Sequence, residues 1–393
     1  MTAPATADST TTLRVPPRAP FLNWPVARRE FYQSIMIALI LPLLWGIGLF
    51  GLHALLIIVV TVLTAVAGRV AIARLTSRGP WMPVNHTIAS AMLLAALTPE
   101  SCPVWLSAVA GAVLTGLICV AGPPGRQRLH TGLLVALLLG LAVGQIPTGP
   151  VLVRDAMVVG NLNRSSPLGH YRWPRRSAIA GDDAVTLPMP DHALAKTLRA
   201  ISDRPAGREA RRTLDNAFGT LLPPPPELFL GAMPGRIGVV GVLGILIAGL
   251  MLAYRNILNP AAWGMFIVFV LLGFLFGPLS AHSLHHEFWQ SLGGLWYLPP
   301  ERAIYLLYVE ICTGDFLFAS VFLLAMPGTL PLNPRARWVF LLFSGLLAAL
   351  FARIALPMPP ATTAILMLQP LSPWFDTIFP RRSWLNHQRL PGG

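Results

Sequence analysis

Charge is what this chain has least of. Asp, Glu, Lys and Arg together make up 11% of its 393 residues, against about 25% in soluble domains. Lysine is almost missing: Lys196 stands alone, so the net charge of +13 comes nearly all from arginine. In a soluble chain that surplus would point to nucleic acid. Here the arginines sit in short runs beside apolar segments, where they anchor loops at lipid headgroups, and nucleic acid is excluded as a partner. Cysteine is scarce as well. Cys102, Cys119 and Cys312 show no CxxC spacing, which argues against a disulfide framework or a zinc site. No GxGxxG, P-loop or Ser-His-Asp set stands out, so no catalytic residue is assigned. Residues 1–20 are polar and lack the apolar core of a cleavable leader.

What the chain does have is apolar sequence in long runs; 54% of its residues are hydrophobic. Runs near 20 residues with few charges are membrane spans. The expected fold is all-α: a polytopic membrane protein with about nine to ten transmembrane or half-spanning helices and a polar insert between two helical halves. The segments divide as a disordered polar N-terminal tail (1–30), a first transmembrane half (31–147), an extramembrane insert (148–236), a second transmembrane half (237–371) and a C-terminal tail (372–393). Phe31–Phe50 and His53–Val70 form a hairpin turning at Gly51. His86–Leu97 is too short to cross a bilayer and ends in Thr98-Pro99, so it reads as a half-span whose backbone other helices must shield. In the second half the spans are Ile237–Ala253, Trp263–Phe276, Ala303–Leu324 and Trp338–Phe351, followed by the shorter stretch Ala361–Leu371. Tryptophans such as Trp105, Trp263, Trp338 and Trp374 flank these runs as an interfacial belt.

Few residues are candidates for chemistry. Glu310 and Asp315 are intramembrane carboxylates around Thr313-Gly314. Charges at that depth are costly and mark proton or cation paths; the plainer reading is a headgroup position or a helix cap. On a straight helix five residues would put them on different faces, unless Gly314 breaks it. Pro234-Gly-Arg-Ile-Gly238 reads as a helix start. Free amides at Gly235 and Gly238 suit a phosphate, or the segment simply begins a membrane helix. His282, His285, His286 and Glu287 offer metal-ligand spacing but no fourth ligand or supporting shell, so no metal is assigned.

Several stretches together resemble the RnfD/NqrB membrane subunits of ion-translocating electron transport complexes. They are Arg29-Glu-Phe-Tyr-Gln-Ser34, Thr87-Ile-Ala-Ser-Ala-Met-Leu-Leu-Ala-Ala-Leu-Thr-Pro99, the run from Phe229 to Gly238, Pro327-Gly-Thr-Leu-Pro-Leu-Asn-Pro-Arg-Ala-Arg337 and Leu371-Ser-Pro-Trp-Phe-Asp376. Each is weak alone; their order along the chain is what is specific. The resemblance implies a multi-pass subunit of the bacterial inner membrane, not an enzyme by itself. Its partners would be the other membrane and peripheral subunits, its cofactor FMN or riboflavin, and its work flavin-linked electron transfer coupled to H⁺ or Na⁺ translocation. Because that fold is urea-transporter-like, a channel or carrier for small solutes, or a flavin-free scaffold paralogue, stands as the alternative.

In the family, FMN is esterified through its phosphate to a Thr in a Ser/Thr-x-Ala-Thr-Pro motif. The counterpart here is Asp183-Ala-Val-Thr186-Leu-Pro-Met189-Pro190. One register puts Thr186 on the first hydroxyl and Met189 on the acceptor, where no ester can form. The other puts Thr186 on the acceptor, with Asp183 three residues before it. Two further departures mark a divergent branch: Arg128-Leu-His-Thr131 replaces an Asn-Pro-rich segment, and Met326-Pro327 stands where the family has Thr-Asp-Pro.

Overall fold

The length of each apolar run decides what its helix does. The computed structural model describes residues 28–75, 84–99, 102–121, 135, 229–231, 235–277, 300–313, 315–354 and 359–379. Among them the regular structure is helical, with no strand beyond one isolated antiparallel bridge, Pro99 to Arg236. The chain is thus an all-α, multi-pass membrane protein. The insert residues Asp183, Thr186 and Met189 and the histidine run 282–286 lie outside the described residues.

Helices α1 (Arg28–Phe50) and α2 (Leu52–Leu75) are long and apolar enough to cross a bilayer. Gly51 between them takes φ 71°, a left-handed turn that glycine enters without steric cost. Only Ala54, Ile57, Thr61 and Ala65 of α2 are buried. That spacing is one stripe of a helix; the rest, including Leu52, Leu56 and Leu63, faces outward, as lipid-facing residues do. The stripe is small, so α4 (Val104–Ala121) packs close to it. A Cβ on Gly111 would lie 2.2 Å from Thr64 Oγ1 and 2.6 Å from the Thr61 carbonyl oxygen. Thr115 seals the contact by donating to the Ala65 carbonyl at 2.8 Å. Small residues at helix crossings are how membrane helices gain contact area where burial from water is no driving force.

Helix α3 (Val84–Leu97) behaves differently. At 14 residues it spans about 21 Å, short of a ~30 Å hydrocarbon core. Ten of those residues are buried, against α1, α2 and, at its C-terminal end, the segment 236–238. A helix that stops inside the membrane must have its last carbonyls satisfied by protein.

The second half repeats this division of labour. Helices α5 (Val242–Tyr254) and α6 (Pro260–Phe276) are joined by a turn in which Asn259 caps α6, accepting from the Ala261 amide at 3.0 Å. The apolar run 303–324 is not one straight helix. Helix α7 (Pro300–Thr313) and helix α8 (Phe316–Phe318, continued by a π-helical turn Ala319–Leu323) bend by 60°. Helix α9 (Pro334–Ile354) is a full span and packs on α6, with Gly345 against Phe269 and Gly273 against Ala349. Helix α10 (Pro360–Leu368) is short and buried, and a 3-10 turn (Gln369–Leu371) leads to α11 (Ser372–Ile378). Asp376 on α11 accepts from the Leu332 and Asn333 amides at 3.0 and 2.8 Å, holding the turn that starts α9.

One expected span is shorter than its apolar run. The sequence reads as helix from Ile237, but α5 begins only at Val242. Residues 235–241 form a non-helical strap with a turn at 236–240, where the Arg236 carbonyl accepts from the Val239 and Val240 amides at 3.0 and 3.4 Å. Its glycines press on α1: a Cβ on Gly241 would meet Trp45 at 2.7 Å, and Gly46 of α1 lies against the Ile237 carbonyl. The amides of Ile237 and Gly238 do not start a helix; they turn toward the end of α3.

Candidate functional site

Three breaks in the helical backbone meet a small set of buried charges. The first is the end of α3. Thr98 returns its hydroxyl to the Leu94 carbonyl at 2.9 Å, and the strap supplies the other donors. The Ile237 amide donates to the Thr98 carbonyl at 3.1 Å and the Gly238 amide to the Ala96 carbonyl at 2.8 Å. Gly238 is needed for this approach, since a Cβ there would stand 2.5 Å from Ala96 Cβ. Gly235 packs on Val240. In this arrangement the strap's amides cap the carbonyl end of a half-helix.

The second break is the bend between α7 and α8, and the third is the start of α10; Asp315 joins them. Its carboxylate is fully buried. Oδ1 accepts from the Ala361 amide at 2.9 Å, and Oδ2 from the Thr362 amide at 2.7 Å and the Thr362 hydroxyl at 2.5 Å. An anion at the amide end of a helix satisfies orphan donors and sits favourably in the helix dipole. The donors all come from one short stretch, 46 residues away along the chain. Arg236 in the strap is buried as well, only 7% exposed.

Glu310 lies one helical turn earlier and in a separate environment. Arg353, near the end of α9, donates to Glu310 Oε1 at 2.7 Å, with both side chains buried. The guanidinium carbon stands 4.8 Å from the ring centre of Phe274 on α6, so the pair ties three helices. The two carboxylates are therefore not brought together: the bend sends Asp315 to α10 and leaves Glu310 facing α9.

Two features are hidden in the sequence. Arg236 and Arg353 look like interfacial arginines beside apolar runs, yet both are buried, and Arg353 is the partner of a carboxylate. The available signal is position: an ionisable residue inside an apolar run needs a partner. The second feature is on α3. Buried hydroxyls here mostly return to their own helix, as Thr61, Ser320, Ser344 and Thr363 do. Thr87 and Ser90 do not; their oxygens are buried without a hydrogen-bond partner, and at a spacing of three they share a face. His86 next to them packs edge-on against Tyr32 of α1 at 5.0 Å. Among the described residues no cluster of His, Cys, Asp and Glu suits a metal ion.

Similarity to known proteins covers the same elements. The model of the NQR2, RnfD, RnfE family matches residues 17–384. A subunit of the Na(+)-translocating NADH-quinone reductase of Pseudoalteromonas atlantica is 27% identical over 152 residues, 38% of this chain and 34% of that protein. The matched region thus spans about a third of that relative's length.

Proposed function

The chain belongs to the NQR2, RnfD, RnfE family, and from that premise we propose that it is a membrane subunit of an electron transport complex. In this reading it takes part in flavin-linked electron transfer coupled to H⁺ or Na⁺ translocation and is not a complete enzyme by itself. The observation that carries the proposal is a family match over nearly the whole length. The Pseudoalteromonas relative, named for Na⁺ translocation and quinone reduction, supports the same class of work. The place of this chain would be the bacterial inner membrane, beside other membrane and peripheral subunits, with the insert periplasmic.

A bound flavin would supply the step between one- and two-electron chemistry. The strap amides at Ile237 and Gly238 are engaged with α3, and Gly238 abuts Ala96, so neither amide is open to a flavin phosphate. Attachment therefore rests on Thr186, with Asp183 nearby in sequence, and no step is derived through the flavin. The proposal also includes a membrane path. Glu310 and Asp315 mark its route through the second half, at the bend where the backbone is interrupted. Glu310 is compensated by Arg353 and Asp315 is held by Ala361 and Thr362, so ion movement there requires these partners to separate.

The test is direct. The protein is co-expressed with a flavin transferase, purified and run on a denaturing gel. A fluorescent band that disappears in Thr186→Ala establishes covalent flavin. Flavin released only on denaturation means it is held without an ester. No flavin in either form removes the electron-transfer role and leaves the scaffold. The two buried short helices, one in each half, favour a second reading, a channel or carrier. That reading requires solute flux in liposomes without any electron donor.

A further inference from the structure

The start of α1 and the end of α5 frame an open cavity of about 330 Å³, far from the breaks described above in its chemistry. Glu30, Gln33, Ser34 and Ile37 of α1 line it, with Arg255 and Ile257 from the turn after α5. That turn has a fixed backbone. Asn256 takes φ 56°, its amide donates to the Ala253 carbonyl at 2.9 Å, and the Ile257 amide donates to the Leu252 carbonyl at 3.0 Å. These are the two bonds of a Schellman motif, which ends a helix on one left-handed residue. Arg255 and Ile257 flank that residue, so their positions at the cavity wall are set by the helix end. The Arg255 guanidinium donates to Ser34 Oγ at 2.8 Å, and Ser34 donates to the Glu30 carbonyl at 2.8 Å. The first half of the protein is thereby joined to the second along one wall of the cavity.

The polar groups of this cavity are underused. A guanidinium carries five N–H donors, and Ser34 is the one side-chain partner of Arg255 among the described residues. Glu30 and Arg255 are both exposed and form no ion pair with each other. The Glu30 carboxylate and the Gln33 amide have no partner among the described residues. The cavity lies where the span Glu30–Phe50 begins, at headgroup depth, and Tyr254 beside it is exposed, as interfacial aromatics are. Along α1, Glu30, Gln33, Ile37, Ile40 and Leu44 recur at spacings of three and four, which puts them on one face. That face is polar at Glu30 and Gln33 and apolar beyond, with Ile37, Ile40 and Leu44 exposed. We propose that the cavity binds a phospholipid whose headgroup ends in a primary ammonium, as that of phosphatidylethanolamine does. Arg255 takes the phosphate, Glu30 takes the ammonium, and an acyl chain runs along Ile37, Ile40 and Leu44. Guanidinium and phosphate form charge-assisted, often bidentate hydrogen bonds. Glu30 repels inorganic phosphate and headgroups that are only anionic, and a quaternary ammonium has no N–H to donate to it. Because its contacts come from α1 and from the turn after α5, the lipid bridges the two halves at this face of the membrane.

The experiment uses the delipidated full-length chain in detergent, titrated with defined lipids and read by native mass spectrometry at its tightest lipid site. Phosphatidylethanolamine is expected to bind at least about tenfold more tightly than phosphatidylcholine with the same chains, the worth of one hydrogen bond to a charged group. Glu30→Gln should erase that preference and leave phosphatidylcholine binding almost unchanged. Arg255→Gln should weaken both lipids at least about tenfold. Since Arg255 also holds Ser34, Ser34→Ala is the control: it removes that bond, keeps the guanidinium and should retain the preference. Glycerophosphoethanolamine, the same headgroup without acyl chains, should compete poorly. A wild-type chain without preference, a preference that survives Glu30→Gln, or an Arg255→Gln chain that binds like the wild type overturns the proposal. Equal binding of the chain-free headgroup overturns the lipid as its source. Glu30 and Arg255 are exposed, so both variants are expected to fold; should Arg255→Gln fail to accumulate, the loss or survival of the preference in Glu30→Gln decides the matter. None of these measurements needs an electron donor or an ion gradient, so the result stands apart from the electron-transfer reading.

Discussion

Removing one member of the Glu310–Arg353 pair should cost far more than removing both. The two side chains touch at 2.7 Å and are almost closed off from the surroundings, 4% and 7% exposed. Bringing two charges into such a place costs several kcal/mol per ion, and their attraction roughly offsets it. The pair therefore contributes little net stability, but either charge left alone does not. Arg353→Ala strands Glu310, discards the contact with Phe274 and opens a hole the size of a long side chain; ~3–5 kcal/mol is expected. Glu310→Gln keeps the shape but strands the guanidinium, at about the same cost. The double change Glu310→Gln with Arg353→Met keeps volume and removes both charges, and should return to within ~1–2 kcal/mol of the wild type. The assay is thermal unfolding in detergent with a thiol-reactive dye. Cys102 and Cys312 are buried at 0% and 4% exposure, so dye labelling reports loss of structure. Single variants should unfold on the order of 5 °C or more below the wild type, and the double variant close to it. Equal or additive losses in the double variant would refute the account, because they would mean that the two residues act through separate contacts.

Other outcomes follow from the same geometry. Asp315→Ala leaves two backbone amides and a hydroxyl without acceptors in a buried site, and should cost ~3–5 kcal/mol by the same assay; Thr362→Val, losing one of those bonds, should cost about 1 kcal/mol. Gly111→Ala drives a Cβ into the Thr61 carbonyl and Thr64 hydroxyl and should cost ~1–3 kcal/mol. Gly116→Ala, on the same helix, meets nothing within 4 Å, and should be neutral or stabilising by up to ~1 kcal/mol; the difference between the two isolates close packing from helix propensity. Gly238→Ala should disconnect the strap from α3, read as faster proteolysis near residue 236, whereas Gly264→Ala, in open space on α6, should leave the pattern unchanged.

The membrane helices are legible because a span has to be apolar along its whole length, and that is a local property. Phe31–Phe50, the turn at Gly51 and the short helix ending at Thr98-Pro99 all follow from run length and break residues. Family membership is legible for a related reason: five short motifs in order constrain the chain more than any one does. The strap is not legible. Gly235 to Val242 is apolar and opens with Pro-Gly, which looks like the first turn of a helix. What holds it apart from the helix that follows is pairing with the carbonyls of α3, roughly 140 residues earlier in sequence, and local pattern carries no trace of such a partner. The arginines mislead for the same reason. Arg353 at a helix end looks interfacial until Glu310, 43 residues away, is placed opposite it.

The illegible contacts share one physical origin. A helix that stops inside a bilayer leaves up to four amides or four carbonyls that water cannot reach. Each such end has to be supplied from elsewhere in the chain, so broken helices create obligatory long-range bonds. In α3 the donors are strap amides; in α10 the acceptor is a carboxylate. A carboxylate is the stronger cap, but it brings a charge, and a buried charge needs a counter-charge. Asp315 thus follows from the start of a buried helix at Pro360. Straight spans impose no such chain of requirements, and α2 accordingly has one plain stripe of small residues and a lipid-facing remainder. It follows that the polar groups at the breaks are held by several partners at once, while the straight spans pack through small-residue contacts. A conformational change that opens a path would need to begin by separating charges at the breaks, with the spans free to follow.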